Sequence, residues 1–268
     1  MTIPVVLSIA GSDSGGGAGI QADLKTCQEL GVFATSAITA ITAQNTVGVH
    51  QVKEIEPEMV YAQADAVLAD IGANVIKTGM LVGEGQIKVV SQLIDKYTPA
   101  EVVVDPVISS TSGTQLLTNE GLAVLRKQLL PKTTLLTPNL PEAALLLNQK
   151  EPKTIAEMKE FAIQLHQLGP RAIVLKGGHL EGDAVDLFYD GREFIPFSAA
   201  RIKATHTHGT GCTFAAAIAA ELAKGSNRVN AVRVAKAFIT KAIKYGFELG
   251  EGKGPTNHAA YRQQLDKE

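Results

Sequence analysis

The 268-residue chain lacks features that mark several classes of protein. It has no tryptophan, its aromatic residues amount to 5%, and its only cysteines are Cys27 and Cys212. Proteins that bind single-stranded nucleic acids stack bases on aromatic side chains, so the low aromatic content argues against that class. Two cysteines cannot build the disulfide framework of a small secreted protein. We therefore expect a cytoplasmic protein.

Charge and hydrophobicity exclude further classes. The 25 basic and 27 acidic residues give a formal net charge of -2, without the basic excess that nucleic acids or membrane surfaces attract. No apolar run reaches the roughly 18 residues of a transmembrane helix. The apolar fraction of 45% and the charged fraction of 19% are ordinary for a globular protein. We expect one domain, residues 1–268, with neither nucleic-acid nor membrane partners.

Strand-like and helix-like segments alternate along the chain. Apolar, β-branched runs predict strands at 3–10, 32–41, 74–77, 101–104, 133–136 and 171–176, and a hairpin at 185–189 and 193–197. Helical spacing predicts helices at 18–30, 57–71, 83–97, 119–129, 139–147, 155–168, 210–224 and 229–245. Continuous apolar strands that alternate with helices indicate an α/β fold with a parallel sheet covered on both faces. Such sheets bind ligands outside the carboxyl ends of their strands.

A glycine-rich loop follows the first predicted strand. Its sequence from 11 to 19 is GSDSGGGAG, and it leads into a helix that contains Asp23. Glycines let a backbone approach a ligand closely, but a tight turn without a ligand explains the loop equally well. The loop matches the dinucleotide fingerprint G-x-G-x-x-G poorly, which disfavours a dinucleotide-dependent oxidoreductase. The chain also contains no Walker A string G-x-x-x-x-G-K-[ST].

The segment HTHGTGCT at 206–213 is a sharper signal because it precedes an alanine-rich helix. Gly209, Thr210 and Gly211 place consecutive backbone N–H groups at the helix start, where the helix dipole favours an anion. Cys212 lies in the first turn, where we expect its thiol pKa to be lowered, making it a nucleophile or a general base. A cysteine packed in the core is the alternative. The two histidines of the segment lack the further ligands of a metal site.

Polar residues also follow other predicted strands. Asp105 and Glu142 offer carboxylates for Mg²⁺, and Lys176 can reach a phosphate as a point charge. Asn139 can cap a helix and bind a ligand at the same time. Gln44 offers a donor and an acceptor to a heterocycle, or is only a turn residue. Together these features predict phosphoryl transfer, which depends on positioning and charge stabilisation.

The same segments resemble the hydroxymethylpyrimidine/phosphomethylpyrimidine kinases of thiamine biosynthesis. The matching motifs, in order, are AGSDSGGGAGIQAD at 10–23, TAQNT at 42–46, KTGM at 77–80, DPV at 105–107, TPN at 137–139, KGGH at 176–179 and HGTGC at 208–212. They span nearly the whole chain. The resemblance implies a ribokinase-like fold, in which three α/β/α layers surround a mostly parallel sheet, and we expect a homodimer.

The resemblance also implies a reaction and a substrate site. Such enzymes use ATP and Mg²⁺ to phosphorylate 4-amino-5-hydroxymethyl-2-methylpyrimidine and then its monophosphate. By position, Gln44 is expected to hydrogen-bond the aminopyrimidine edge. Met80 and Val107 are expected to line the ring, with Gly11 and Asp23 near the substrate.

The implied phosphate site uses the later motifs. Asn139, Lys176 and Gly211 are expected to contact ATP, while Asp105 and Glu142 hold Mg²⁺, partly through water. Residues 209–212 are expected to form the anion hole, with Cys212 as the base. Related sugar kinases usually carry aspartate at the position of Cys212, and a thiol replaces it only if its pKa is lowered.

Two alternatives remain beside this interpretation. Pyridoxal kinases of the related cysteine-containing type have nearly the same motifs but tend to carry a second cysteine after DPV. Here residues 108–113 read ISSTSG, which favours the pyrimidine kinase. A non-catalytic ligand-binding protein of the same fold is disfavoured because Lys176, Asp105, Glu142 and residues 209–212 are all present.

Overall fold

The computed structural model describes residues 3–109, 115–178 and 182–265, whose strands form one sheet. The nine strands of these ranges are β1 (Val5–Asp13), β2 (Phe33–Gln44), β3 (Val49–Glu54), β4 (Val75–Thr78), β5 (Glu101–Val104), β6 (Leu135–Leu136), β7 (Ile173–Lys176), β8 (Ala184–Tyr189) and β9 (Phe194–Ala199). Their spatial order is β3-β2-β1-β4-β5-β6-β7-β8-β9. The six inner strands run parallel, whereas β3, β8 and β9 add antiparallel edges.

Helices cover both faces of the sheet. The α-helices of the described residues are α1 (Gly19–Glu29), α2 (Pro57–Asp70), α3 (Glu84–Tyr97), α4 (Asn119–Val124), α5 (Leu140–Leu147), α6 (Ile155–Gln167), α7 (Thr210–Ala223), α8 (Arg228–Lys244) and α9 (Ala260–Leu265). One core joins the sheet to α1, α7 and α8, and the other joins it to α2, α3, α5 and α6. The predicted three-layer α/β/α class is confirmed.

Side chains of the inner strands alternate between these two cores. In β5, Val103 enters the core on the side of α7, whereas Val102 and Val104 enter the core on the other side. Because both of their faces are buried, strands such as β5 and β7 are largely apolar. That composition made them recognisable in the sequence.

The structure departs from the predicted elements in a few places. Strand β1 continues to Asp13, through a register shift between Ala10 and Ser12, so part of the expected loop is strand. Strand β3 has no buried residue and therefore no apolar signal. The helix expected at 119–129 ends in a π-helical turn at Leu125–Leu129, and α9 was not predicted. No helix within the described ranges is both long and apolar enough to cross a membrane.

Candidate active site

The parallel strands deliver the predicted site residues to one edge of the sheet. Strand β1 ends at Asp13, β2 at Gln44 and β7 at Lys176, while Asp105 directly follows β5. The carboxyl ends of parallel strands lie on the same side of a sheet. Residues far apart in the chain therefore meet at this edge.

A cation, a carboxylate and a helix start converge there. Lys176 Nζ lies 2.9 Å from Asp105 Oδ1, which also accepts a hydrogen bond from Thr137 Oγ1 at 3.2 Å. A Cβ on Gly211 would lie 3.4 Å from that Nζ and 3.6 Å from Asp105 Oδ2. The first turn of α7 therefore lies within van der Waals distance of both charged groups. The structure brings together three of the residues predicted to handle phosphate.

The predicted Mg²⁺ ligands adjoin the same point. Asn139 and Glu142 form a capping box at the start of α5, with reciprocal hydrogen bonds of 2.8 and 2.9 Å. Burial raises the pKa of Glu142 to about 7, an effect that Lys176 opposes and Asp105 reinforces. Two buried carboxylates therefore share one lysine, a surplus of negative charge that a further cation would stabilise.

This donor set fits Mg²⁺, which prefers carboxylate oxygens and keeps several of its waters. In the described part of the chain, no group of three or more His, Cys, Asp or Glu side chains could enclose a metal ion. Asp105 and Glu142 would therefore supply only part of the coordination shell. Water and phosphate oxygens would complete it.

The start of α7 is shaped by a glycine with a left-handed backbone. Gly209 has φ +83°, and a Cβ there would lie 1.7 Å from the carbonyl oxygen of Gly17. Only glycine fits such a position. The first N–H groups of a helix have no partners within it, so those of Gly211 and Cys212 remain available to an anion.

The expected lowering of the Cys212 pKa is wrong. Although part of the residue is accessible from the site, protein atoms surround the thiol, and this burial raises its pKa to about 11. Lys77 and the backbone N–H of Gly19 oppose the rise, while nearby carboxylates add to it. Desolvation outweighs the helix start, so the thiol is neutral at pH 7. The other thiol, Cys27, is packed in the core.

A buried ion pair acts on this thiol and was missing from the predicted site. Lys77 is 0% exposed, and its Nζ lies 2.9 and 2.8 Å from the two carboxylate oxygens of Asp23. Ser8 Oγ donates to the same carboxylate at 2.5 Å. The expected place of Asp23 beside the substrate needs correction. Asp23 is 1% exposed, and its carboxylate oxygens already accept hydrogen bonds from Lys77 and Ser8. The sequence signal for this buried ion pair was Lys77 itself, a lysine within the otherwise apolar start of strand β4.

The predicted ring-binding residues lie at neighbouring strand ends. A Cβ on Gly11 would lie 3.3 Å from Met80 Sδ. Thr39 Oγ1 donates a hydrogen bond to the backbone carbonyl oxygen of Met80 at 2.7 Å. Val107, after β5, has φ +37°, which a β-branched residue rarely adopts. Backbone strain of this kind concentrates at functional sites. Met80 and Val107 are both half-buried and so can still contact a ligand.

Asp13 organises the glycine-rich loop. Its carboxylate accepts the backbone N–H groups of Gly15, Gly17 and Ala18 at 2.8, 3.1 and 2.9 Å, and lies 2.8 Å from His208 Nε2. These contacts tie the loop after β1 to the segment before α7. Neither Asp13 nor His208 was predicted as a site residue. The sequence signal for Asp13 was its position just before a run of glycines, because an aspartate side chain there can accept hydrogen bonds from the backbone N–H groups that follow it.

Gln44 lies beside this link. One end of its amide is 3.2 Å from Thr42 Oγ1, and the other is 3.4 Å from His208 Nε2. Ser14 Oγ also bonds the Gln44 backbone at 2.8 Å. The side chain is half-buried at the end of β2 and is more than a turn residue.

Comparison with known proteins assigns a family to this geometry. A family model described as phosphomethylpyrimidine kinase matches residues 13–257. The hydroxymethylpyrimidine/phosphomethylpyrimidine kinase of Bacillus subtilis (strain 168) is 45% identical over 265 residues, which cover 98% of this chain and 97% of that protein. The thiamine biosynthetic bifunctional enzyme TH1, chloroplastic, of Arabidopsis thaliana is 47% identical over 261 residues, or 96% of this chain and 50% of that enzyme. The chain thus spans about half the length of that bifunctional relative.

A solved structure agrees with the fold. An ADP complex of Bacillus subtilis pyridoxal kinase superimposes with a TM-score of 0.91 at 42% identity, covering 98% of this chain and 100% of that one. The α/β/α architecture is therefore ribokinase-like, as predicted. From the family match and the similarity to a full-length kinase, the chain belongs to the phosphomethylpyrimidine kinase family.

Proposed function

We propose that this chain uses ATP to phosphorylate 4-amino-5-hydroxymethyl-2-methylpyrimidine and then its monophosphate, in thiamine biosynthesis, with residues 1–268 as one kinase domain. The observation that carries the proposal is that Lys176, Asp105 and Gly211 lie close together in space. Gly211 directly precedes Cys212 in the chain. A lysine and free helix N–H groups at one point stabilise the charge of a transferring phosphoryl group. The name of the full-length Bacillus relative supports the same reaction.

The chain's own groups divide the work on the phosphates. Lys176 supplies positive charge, and the N–H groups of Gly211 and Cys212 supply donors at the end of the helix dipole. The side-chain oxygen Oδ1 of Asn139 caps the start of α5, which leaves the side-chain NH₂ of Asn139 to donate to ATP. Asp105 and Glu142 hold Mg²⁺, which neutralises phosphate charge when bound.

The first phosphorylation needs a proton acceptor. The hydroxymethyl oxygen forms a bond to the γ-phosphorus, the bond from that phosphorus to its bridging oxygen breaks, and ADP leaves. The hydroxyl proton must then be taken up. A thiol with a pKa of about 11 is protonated at pH 7, so Cys212 can accept the hydroxyl proton only as the thiolate, after its own proton has passed to solvent. Lys77 and the start of α7 favour that thiolate.

The second phosphorylation makes a different demand on Cys212. Its acceptor is an ionised phosphate oxygen, which has no proton to lose. The anion hole is then more important than the base. Cys212→Ser should therefore lower kcat/KM of the first step more than that of the second, within the roughly 10²- to 10⁴-fold range of acid–base catalysis.

A side-by-side assay tests the proposal. ADP release is measured with hydroxymethylpyrimidine, its monophosphate and pyridoxal, for the unaltered protein, Cys212→Ser and a matched Cys27→Ser control. Cys27 is buried outside the site, so its substitution should affect both steps alike. Pyrimidine binding without ADP release would refute the kinase function. Equal losses in both steps for Cys212→Ser would refute the base role.

Phosphorylation of pyridoxal is the second candidate activity. The similarity to Bacillus subtilis pyridoxal kinase supports it. The absence of cysteine from residues 108–113 favours the pyrimidine. Residues 110–113 of that loop lie outside the described ranges. We expect a higher kcat/KM for the pyrimidine, and the reverse order would make pyridoxal the main substrate.

We further propose that the protein is a cytoplasmic homodimer that binds small molecules rather than nucleic acids or membranes. Two free cysteines and a net charge of -2 support the compartment and the class of partner, whereas the dimer rests on the resemblance to the kinase family alone. Sedimentation equilibrium should give twice the chain mass of 28.3 kDa. A single-chain mass at working concentration would contradict the dimer.

A further inference from the structure

Lys176 is held at its backbone as well as at its side chain. It is the last residue of β7, and its N–H donates to the carbonyl oxygen of Pro138 at 2.9 Å. In the ladder between β7 and β8 it lies opposite Asp186. A lysine side chain is long and flexible, so a small change at the backbone displaces the Nζ that contacts Asp105. The place of this ammonium group therefore depends on what fixes the end of β7.

The next residue, Gly177, is tightly confined. A Cβ there would lie 2.2 Å from the carbonyl oxygen of Val185 and 3.0 Å from Met158 Cε, so only glycine fits without a shift. Gly177 is buried, and its N–H donates to Asp186 Oδ1 at 3.2 Å. A buried N–H that loses its acceptor is costly. The Asp186 carboxylate therefore fixes the peptide that joins Lys176 to Gly177.

The Asp186 carboxylate is itself fixed by a lysine of α8. Asp186 is 7% exposed, and its Oδ2 accepts a hydrogen bond from Lys236 Nζ at 2.7 Å. The same Nζ donates to the carbonyl oxygen of Ala184, in the same strand, at 2.8 Å. Lys236 thus compensates the charge of the buried carboxylate and holds it against β8. Each carboxylate oxygen of Asp186 has its own partner, the backbone N–H of Gly177 or the ammonium group of Lys236.

We propose that Asp186, held by Lys236, is a positioning residue that fixes the peptide after Lys176 and so keeps the Lys176 ammonium group in place for the transferring phosphoryl group. The inference rests on the proposed function. Neither Asp186 nor Lys236 has to touch ATP for this role, because both act through Lys176. Misplacement of a catalytic group by about 1 Å costs about 100-fold in rate.

Three variants separate the hydrogen bond from the charge. Asp186→Ala removes the acceptor of the Gly177 N–H, and we expect it to lower kcat/KM for ATP about 10- to 100-fold. Lys236→Met keeps that acceptor but leaves the buried carboxylate without its cation, so we expect a smaller loss. Asp186→Asn combined with Lys236→Met supplies a neutral acceptor for the same N–H and should recover most of the loss. The KM of the pyrimidine should stay within about twofold throughout, because Lys176 acts on the phosphates.

A double-mutant cycle shows whether Asp186 acts through Lys176. The kcat/KM for ATP is measured for Lys176→Met, for Asp186→Ala and for the double variant. If Asp186 only positions Lys176, adding Asp186→Ala to Lys176→Met should change the value by less than about twofold. Losses that multiply would mean that Asp186 or Lys236 acts on ATP directly, and they would overturn the proposal. Should Asp186→Ala fail to fold, Asp186→Asn takes its place in the cycle, because a single amide oxygen serves only one of the two partners.

A control variant separates positioning from stability. Lys132 Nζ likewise donates to a carboxylate, that of Asp95, and to a backbone carbonyl oxygen, that of Ser91 at 3.1 Å. Lys132 precedes β6 and so lies at the sheet edge opposite the candidate active site. Lys132→Met should lower the free energy of unfolding and leave kcat/KM for ATP unchanged. An Asp186→Ala protein that circular dichroism shows to be folded, and whose kcat/KM for ATP is also unchanged, would overturn the positioning role.

ATP binding in the absence of an acceptor separates this inference from the kinase function. Calorimetry measures the affinity for ATP of the unaltered protein and of the three members of the cycle. Losses of affinity that do not multiply, without ADP release by the unaltered protein, would overturn the kinase function while the positioning role stands. ADP release with losses that multiply would overturn the positioning role while the kinase function stands. Failure of the unaltered protein to bind ATP would overturn both.

Discussion

The sequence predicts a Cys212 thiol with a lowered pKa, whereas the structure buries this thiol and raises its pKa. The two accounts therefore predict different reactivities for Cys212. With a pKa of about 11 rather than the ordinary 9.0, the thiolate fraction at pH 7.5 falls about 100-fold, from roughly 3% to roughly 0.03%. Thiolates of higher pKa are intrinsically more reactive, which restores about tenfold over two pKa units. Cys212 should therefore react about tenfold more slowly than an unperturbed thiol with a small neutral disulfide.

The pH profile separates this effect from simple shielding. In a Cys27→Ala background, we expect the rate at Cys212, followed by peptide mass spectrometry, to rise about tenfold per pH unit without a plateau below about pH 10. Shielding alone would lower the rate at every pH but leave a plateau near the ordinary pKa. A plateau between pH 6 and 8 would refute the reasoning and restore the lowered pKa predicted from the helix start.

Three further predictions concern buried charges. Lys77→Met should lower the free energy of unfolding by about 3–5 kcal/mol because it leaves the Asp23 carboxylate unpaired, whereas Lys77→Met combined with Asp23→Leu should cost much less; equal losses in urea unfolding would contradict this. Glu142→Gln should preserve the capping box but weaken Mg²⁺ activation at least about tenfold in kinase titrations, and an unchanged Mg²⁺ requirement would remove Glu142 from the metal site. Burial lowers the pKa of His258 from 6.5 to about 4, so the unfolded chain binds this proton first as the pH falls. Stability present above pH 6.5 should then decline by about 3 kcal/mol towards pH 4, and His258→Asn should abolish that part of the slope in pH-dependent unfolding.

Much of the fold followed from local pattern. Strands β4, β5 and β7 are buried on both faces, so their runs of valine, isoleucine and leucine were visible in the sequence. Strand β3 was missed because its exposed residues VHQVKE show no apolar periodicity. Helix boundaries were correct within a residue or two wherever a cap marks them, as at Asn139 before α5 and Gly209 before α7.

The candidate site divides in the same way. Lys176 and Asp105 were predicted from their places at strand ends and Gly211 from its place at a helix start, and the structure brings them together. Asp23 and Lys77 could not be placed, because burial depends on which helix covers which strand. The link between Asp13 and His208 joins residues 195 positions apart and leaves no local signal.

The sequence by itself determined the α/β class, the strand-end positions of the polar residues and the glycines of the loops beside them. These features depend on periodicity, residue size and allowed backbone angles, which act over a few neighbouring residues. Only the tertiary structure decided the protonation of Cys212 and the surroundings of Gln44. A helix start favours a thiolate, but the protein packed around Cys212 removes water from it, and that desolvation is the larger effect.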